Sequence, residues 1–236
     1  MKKSIVIAFA MVAISTPAAF AADLASPKST KVIPVAKSQS WTSCYIGGNI
    51  GGATSKTDVV DEISGAPIAS LDSSAISGGG QIGCDYQLPG NSPLVLGIQG
   101  MVDATGLSDS TTNGNLEALV LDGEIPWVAT LTARLGYAVS SDLLVYGKGG
   151  AAWAHTKATL TSPEPSTDSV SFNQNGWTVG AGAEYRLNQN LSLFAEYNYL
   201  ALADKTPVFP SFGDVGTVQQ DVQLFLVGAN LRFAGF

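Results

Sequence analysis

The sequence predicts an all-β protein, an eight-stranded antiparallel transmembrane β-barrel of the outer-membrane type. Eight segments alternate apolar with small or polar residues, as strands with two different faces do. The connections between these segments are alternately short and long. Only 13% of the residues are charged, which is low for a soluble domain. Yet after the first 21 residues no apolar run reaches the roughly 20 residues of a membrane-spanning helix.

The chain begins with a pattern typical of a secretory signal peptide. Lys2 and Lys3 precede an apolar run at 4–14, and an A-x-A cleavage site follows at 19–21. The apolar run is too short for a membrane anchor and has the wrong flanks. We therefore expect residues 1–21 to be a signal peptide that is removed on export.

Residues 22–40 contain prolines and lysines and show no periodicity, so we expect a flexible periplasmic N-terminal tail. The barrel then occupies residues 41–236. The lysines of the tail leave open that it docks onto peptidoglycan, an anionic cell-wall polymer, although a basic run is weak evidence by itself.

The alternating segments define the predicted strands and their connections. The strands are expected at about 42–55, 74–87, 94–106, 125–139, 143–158, 175–187, 191–203 and 218–233. Short turns are expected at 88–93, 140–142 and 188–190, and long polar loops at 56–73, 107–124, 159–174 and 204–217. An even strand number with short turns at one end and long loops at the other is typical of outer-membrane barrels.

The hairpin at 180–199 indicates which face meets lipid. Glu184 and Glu196 share one face with glycines, which suits a narrow interior, while the other face is apolar. A soluble barrel would need the reverse, an apolar interior and a charged exterior. Aromatic residues lie near the ends of the apolar faces, as they do at two membrane interfaces: Trp127, Tyr137, Trp153, Trp177 and Tyr185.

Six apolar residues fall on the predicted inward face and break the pattern: Val128, Leu144, Phe194, Leu200, Leu202 and Leu224. They are expected either to fill gaps inside the barrel or to mark a bulge or a misplaced strand end.

The motifs together resemble a known family. They are "WTSCYIGGNIGG" (41–52), "GGQIGCDYQ" (79–87), "LVLGIQGMVDATG" (94–106), "TARLGYAVSSDLLVYGKGGAAW" (132–153), "GWTVGAGAEYRLNQNLSLFAEYNYL" (176–200) and "FLVGANLRF" (225–233). They resemble the small porin-like outer-membrane immunogenic proteins of alphaproteobacteria, a family similar in fold to the opacity proteins and to the transmembrane domain of outer-membrane protein A.

This resemblance covers nearly all of the mature chain. It implies an eight-stranded barrel in the outer membrane with both termini in the periplasm. It also implies a terminal aromatic residue that the barrel-assembly machinery recognises. Since three residues follow Phe233, either Phe233 or Phe236 is the expected assembly signal.

The inward charged residues predict one ionic layer. Counting across the short turns places Arg134 opposite Lys148 and Gly182 opposite Glu196. Two cations directly opposite each other repel, so we expect Glu184 and Glu196 to neutralise them. Further residues expected to extend this network are Arg186, Arg232, Asp85, Asp103 and Gln81. Because eight strands leave room only for side chains, a filled interior is favoured over a gated conduction path.

The two cysteines, Cys44 and Cys84, predict a structural disulfide. An even number of cysteines in an exported chain indicates pairing, since the compartment beyond the inner membrane is oxidising. Both residues lie near the same end of neighbouring strands and on the same outward face. Two free buried thiols remain the alternative.

The residue types and motifs of the sequence predict no catalytic residue, no cofactor and no metal site. His155 is the only histidine, which excludes a histidine-cluster metal site and leaves a solvated rim residue favoured over an axial haem ligand. The chain has no Gly-x-Ser-x-Gly elbow, and its glycine runs lack the Gly-Lys-Ser/Thr of a phosphate loop. The net charge of -7 gives no indication of a nucleic-acid partner.

The preferred function is a structural and surface-antigen role in the cell envelope, for an integral outer-membrane protein that is not an enzyme. The alternatives are a small-solute or ion pore, and a protein that binds haemin or a surface ligand through its extracellular loops. The expected partners are outer-membrane lipids and the assembly machinery, and the lipid-facing exterior makes a monomer the default.

Overall fold

The computed structural model describes residues 40–60, 67–90, 92–113, 119–161, 167–205, 208–209, 213–214 and 217–234. The predicted signal peptide, all of the predicted tail except its last residue, and Phe236 lie outside these residues. Within the described ranges, no helix is long and apolar enough to cross a membrane.

Eight long antiparallel strands close into a barrel, which confirms the predicted fold. In chain order the strands are β1 (Ser43–Val60), β2 (Pro67–Gln87), β3 (Leu94–Asn113), β4 (Leu119–Ala138), β5 (Leu143–Thr161), β6 (Thr167–Arg186), β7 (Leu191–Lys205), β8 (Val208–Phe209), β9 (Gly213–Asp214) and β10 (Thr217–Ala234). The short β8 and β9 pair only with each other. Strands adjacent in sequence are adjacent in the barrel, and β1 pairs with β10, so the wall has no free edge.

We call the end of the barrel that holds Ser43 and Ala234 the proximal end, and the opposite end the distal end. The proximal turns occupy 88–93, 139–142 and 187–190. The register across them is the one that the sequence predicts, since Arg134 pairs with Lys148 and Gly182 with Glu196.

The strands extend further toward the distal end than the sequence predicts. β1 continues to Val60 instead of ending near 55, and β2 begins at Pro67 instead of near 74. The predicted extents of three long loops, 56–73, 107–124 and 159–174, are therefore wrong, while the barrel strands on either side of 204–217 end within two residues of the prediction. Lys56 and Asp72 show the reason, because they pair in the β1–β2 ladder with both side chains exposed. Where both faces of a strand meet water, the apolar alternation stops although the ladder continues.

The outward face is apolar and bounded by two aromatic rows. Large side chains such as Ile82 and Leu135 are 63% and 59% exposed there. The proximal row is Tyr86, Tyr137, Tyr185 and Phe233, and the distal row is Trp127, Trp153 and Trp177. On β4, Trp127 and Tyr137 are about 25 Å apart along the barrel axis, from a rise of ~3.3 Å per residue and a tilt of ~40°. That matches the height of the apolar band of outer-membrane barrels.

The six apolar residues that broke the pattern all point inward and are buried. Four of them belong to one cluster, which we call the upper apolar cluster: Ala53, Met101, Leu107, Ile125, Val128, Ala152, Ala154, Leu200, Leu202, Val222, Leu224 and Leu226. Leu144 packs instead in a smaller cluster near the proximal end, with Trp41, Val95 and Tyr146. Phe194 lies against Gly228, where an added Cβ would come within 2.6 Å of its ring. These residues are fillers of the interior.

The strand register shifts at several places, and one of these bulges is at Pro126 in β4. The register shifts between Glu124 and Trp127 on the β5 side, so Ile125 and Val128 both point inward although they are three positions apart. Proline cannot donate to a ladder and is confined within sheets to such places. The hydroxyl of Thr105 donates to the carbonyl of Ile125 beside it.

Cys44 and Cys84 form the predicted disulfide. They are direct partners in the β1–β2 ladder near the proximal end. The described part of the chain has no free cysteine.

Replacing both Cys44 and Cys84 by serine is expected to lower the free energy of unfolding by about 2–4 kcal/mol. The bond closes a loop across 40 residues of the unfolded chain, which reduces the entropy of that state. A urea titration in detergent, followed by tryptophan fluorescence, measures the effect. The wild type in reductant should move to the midpoint of the double variant. Identical midpoints for oxidised wild type and double variant would contradict the prediction.

Candidate functional site: the ionic layer inside the barrel

Six charged side chains meet inside the proximal half of the barrel, and we call them the ionic layer. Each lies at an inward position of its strand, and none is more than 7% exposed: Asp85 (β2), Arg134 (β4), Lys148 (β5), Glu184 (β6), Glu196 (β7) and Arg232 (β10). Since side chains alternate across a strand, the spacing of each residue within its strand fixes this inward orientation.

Glu184 is the centre of the layer. Its carboxylate accepts from Arg134 Nη2 at 3.2 Å and from Arg232 Nε at 3.0 Å. It also accepts from the Ser192 hydroxyl at 2.5 Å and from Asn230 Nδ2 at 3.0 Å. The carboxylate is 0% exposed, so its charge is balanced entirely by protein groups.

Asp85 links the same two guanidinium groups from the other side. Its Oδ2 lies 2.7 Å from Arg232 Nη2, and its Oδ1 lies 3.5 Å from Arg134 Nη1. Two carboxylates and two guanidinium groups thus form a neutral set. Such desolvated charges are tolerated only with this degree of pairing and hydrogen bonding.

The second part of the layer is the Lys148–Glu196 pair. The Lys148 ammonium lies 2.5 Å from Glu196 Oε1 and donates to Gln99 Oε1 at 3.2 Å. Glu196 also accepts from the Tyr146 hydroxyl at 2.9 Å and from Asn198 Nδ2 at 2.8 Å. The structure thus places Glu184 beside Arg134 and Glu196 beside Lys148.

Neutral amides join the two parts. Gln99 Nε2 donates to Gln81 Oε1 at 2.6 Å, and Gln81 Nε2 donates to Asn230 Oδ1 at 2.8 Å. Asn230 in turn donates to Glu184. With the hydroxyl of Tyr45 accepting from Arg134, every one of the eight barrel strands contributes a side chain to one network.

Aromatic rings also hold the arginines, which the sequence interpretation missed. The Arg134 guanidinium lies 3.9 Å from the centre of the Tyr146 ring and 5.4 Å from that of Tyr45. Arg232 lies 5.2 Å from the centre of the Tyr45 ring. These contacts stabilise a cation, more so when it is desolvated. Strand parity already places Tyr146 inside, two positions from Lys148 on the same face, but parity does not predict its contact with Arg134.

Trp41 and Arg186 close the proximal mouth. Trp41 is fully buried, with the Arg186 guanidinium 4.0 Å from its ring centre and that of Arg232 at 4.8 Å. Arg186 donates to the backbone carbonyls of Ser40 at 3.2 Å and Ser141 at 3.4 Å. Of the residues expected to extend the layer, Arg232, Asp85 and Gln81 therefore join it, and Arg186 lies below it.

Asp103 was also expected to extend the network, and here the structure corrects the expectation. Its side chain is fully buried, but its carboxylate makes no hydrogen bond to any described residue. The Lys148 ammonium is close enough to act on Asp103 electrostatically, but it bonds to Glu196 and Gln99 instead.

His155 lies on the outward side of β5 at the distal aromatic row. Its ring is parallel to that of Trp127, with ring centres 5.9 Å apart, and its Nδ1 is 2.7 Å from Asn173 Oδ1. The described residues contain no group of three metal-binding side chains of the His, Cys, Asp or Glu type.

Phe233 lies at the proximal end of β10, outward and 54% exposed. Its role as assembly signal stays a prediction.

Known proteins are similar to this barrel in sequence and in fold. A family model for the outer membrane protein beta-barrel domain matches residues 6–233. The 31 kDa outer-membrane immunogenic protein of Brucella melitensis biotype 1 is 32% identical over 228 residues, covering 87% of this chain and 90% of that protein. The 25 kDa outer-membrane immunogenic protein of the same organism is 27% identical and covers 98% of both chains. The structure of OprG from Pseudomonas aeruginosa aligns with a TM-score of 0.50 at 14% identity, covering 84% of this chain and 99% of that one.

Proposed function

This chain belongs to the outer membrane protein beta-barrel domain family, and on that premise we propose that it is a sealed structural barrel that presents its distal end at the cell surface. It resides in the outer membrane. In this proposal the proximal end, where β1 begins and β10 ends, faces the periplasm.

The observation that supports a sealed barrel is the continuous filling of its interior. The ionic layer and the neutral side chains bonded to it come from all eight strands, and the upper apolar cluster packs above them. Trp41 covers the proximal mouth. The interior of a barrel of eight strands is just wide enough for side chains to fill, and an apolar constriction resists hydration. Ions therefore have no wetted path.

The surface-antigen part of the proposal draws on the relatives. Two of them are named outer-membrane immunogenic proteins. The strands of this chain extend beyond the distal aromatic row, so charged side chains such as Lys56 and Asp72 are carried outside the apolar band. In this proposal, these exposed side chains lie in the water outside the cell, where soluble molecules can contact them.

Refolded mature protein is expected to give a silent planar bilayer, because the ionic layer and the upper apolar cluster fill the interior. The measurement is single-channel conductance, with Glu196→Ala alongside. A heat-modifiable mobility in gel electrophoresis establishes that both proteins are folded. Steady openings that the Glu196→Ala variant alters would contradict the proposal and make the ionic layer a gate, as the pore alternative requires.

A further inference from the structure

Asp103 is a buried carboxylate that forms no ion pair with a described residue. It is fully buried, and neither carboxylate oxygen has a hydrogen-bond partner among the described residues. The other buried carboxylates of the described barrel, Asp85, Glu184 and Glu196, each form an ion pair. Asp103 forms none within the described part of the chain.

The strand register shows where this carboxylate points. Gly79 pairs with Asp103 on one side and with Asn49 on the other. A Cβ added at Gly79 would lie 2.3 Å from Asp103 Oδ1, so the carboxylate covers the space that a side chain there would take. It extends over β2 toward β1 and faces the Asn49 carboxamide, which is close enough to interact with it but forms no well-aligned hydrogen bond with a described residue.

Two hydroxyl groups border the same space. Ser77 is the next inward residue on β2, and Thr130 is on β4, beside the partner of Asp103. Both are buried, at 2% and 4% exposure, and both hydroxyl oxygens are without a partner in the described residues. Four neighbouring strands thus carry inward oxygen atoms without a hydrogen-bond partner at adjacent positions of their ladders.

An isolated carboxylate in such surroundings is strongly unfavourable, because burial removes its hydration without returning a partner. A single water would supply hydrogen bonds but no charge. The Lys148 ammonium is already bound to Glu196 and Gln99. No other cation among the described residues pairs with Asp103, so its charge is open to a bound ion.

We propose that Asp103 holds a small monovalent cation of the sodium type, with oxygen atoms of Asn49, Ser77 and Thr130 as further ligands. Hard cations take oxygen ligands, from carboxylates, amides and hydroxyls. One carboxylate among neutral oxygens balances one positive charge. The upper apolar cluster lies beside this site and the ionic layer beneath it, so the ion is enclosed as the barrel folds.

The test compares protein refolded and melted in sodium chloride with protein refolded and melted in tetramethylammonium chloride at equal ionic strength. Tetramethylammonium cannot take close oxygen ligands, because methyl groups cover its charge. The melting temperature should be about 3–6 °C higher in sodium chloride, once sodium is tenfold above its dissociation constant. In Asp103→Asn the difference between salts should vanish, and the variant should melt at or above the wild type in tetramethylammonium chloride.

Two further variants and one direct measurement complete the test. Asp85→Asn is the matched control, because arginines balance Asp85; it should lose equal stability in both salts. Thr130→Val keeps the side-chain shape and should reduce the sodium effect. Atomic emission should find about one sodium per wild-type chain after exchange into tetramethylammonium buffer, and none in Asp103→Asn. Equal melting temperatures in the two salts, or no retained sodium, would overturn the proposal in favour of a proton or a water at Asp103.

Discussion

Replacing Glu184 by alanine is expected to lower the free energy of unfolding by about 3–5 kcal/mol, as removal of one member of a buried ionic set does. The carboxylate accepts from Arg134, Arg232, Ser192 and Asn230. Without it, two desolvated guanidinium groups share only Asp85. The unfolding midpoint in urea, with the protein in detergent micelles, measures the loss.

Two controls separate burial of charge from loss of bulk. Glu184→Gln keeps the shape and one acceptor oxygen but removes the charge, so it should retain part of the stability. Glu124 lies exposed on the distal part of β4, and its replacement by alanine should change stability by less than about 0.5 kcal/mol. If Glu184→Ala were no worse than Glu124→Ala, the ionic layer would not be a stabilising unit.

Replacing Trp41 by alanine is expected to cost about 3–5 kcal/mol, the usual range for a large buried aromatic residue. The ring is fully buried between Arg186 and Arg232, so the change leaves a cavity and removes an aromatic face from both cations. Thermal unfolding monitored by circular dichroism measures the effect.

Trp41→Phe is the matched variant, because it keeps a ring beneath both guanidinium groups, and it should cost much less than alanine. Trp177→Ala removes an equally large side chain that is 53% exposed on the outward face. Its effect should also be the smaller one. Similar losses for Trp41→Ala and Trp177→Ala would show that the proximal mouth does not depend on Trp41.

The membrane-embedded part of the fold was predictable because lipid imposes a strict pattern there. Between the two aromatic rows, every outward position must be apolar, and the narrow interior favours glycine and charge on the other face. The pairing of Arg134 with Lys148 then followed by counting across a short turn. Beyond the distal row this constraint ends, which is why residues such as Lys56 and Asp72 were assigned to a loop although they lie in strands.

The candidate site was predictable in its charges but less so in its surroundings. Inward parity identified the acids and bases of the ionic layer. Parity could not show that the Arg186 guanidinium packs on the Trp41 ring at the proximal mouth. Trp41 precedes the first strand, so the alternation of side chains along a strand does not fix where it points. Nor could it show that Asp103 stands apart from the network, since that depends on how far each side chain reaches across the barrel.

The length of the strands has a consequence for encounters outside the cell. β2 contains 21 residues, which at ~3.3 Å per residue and a tilt of ~40° gives a wall about 50 Å tall, twice the height of the apolar band. In the proposed orientation, the distal part of the barrel therefore extends above the bilayer as a continuous sheet. Lys56, for example, is held in the ladder between Asp72 and Asp221. An antibody that binds the distal part of the barrel would meet a preformed epitope, so it would lose little affinity to the ordering of flexible segments.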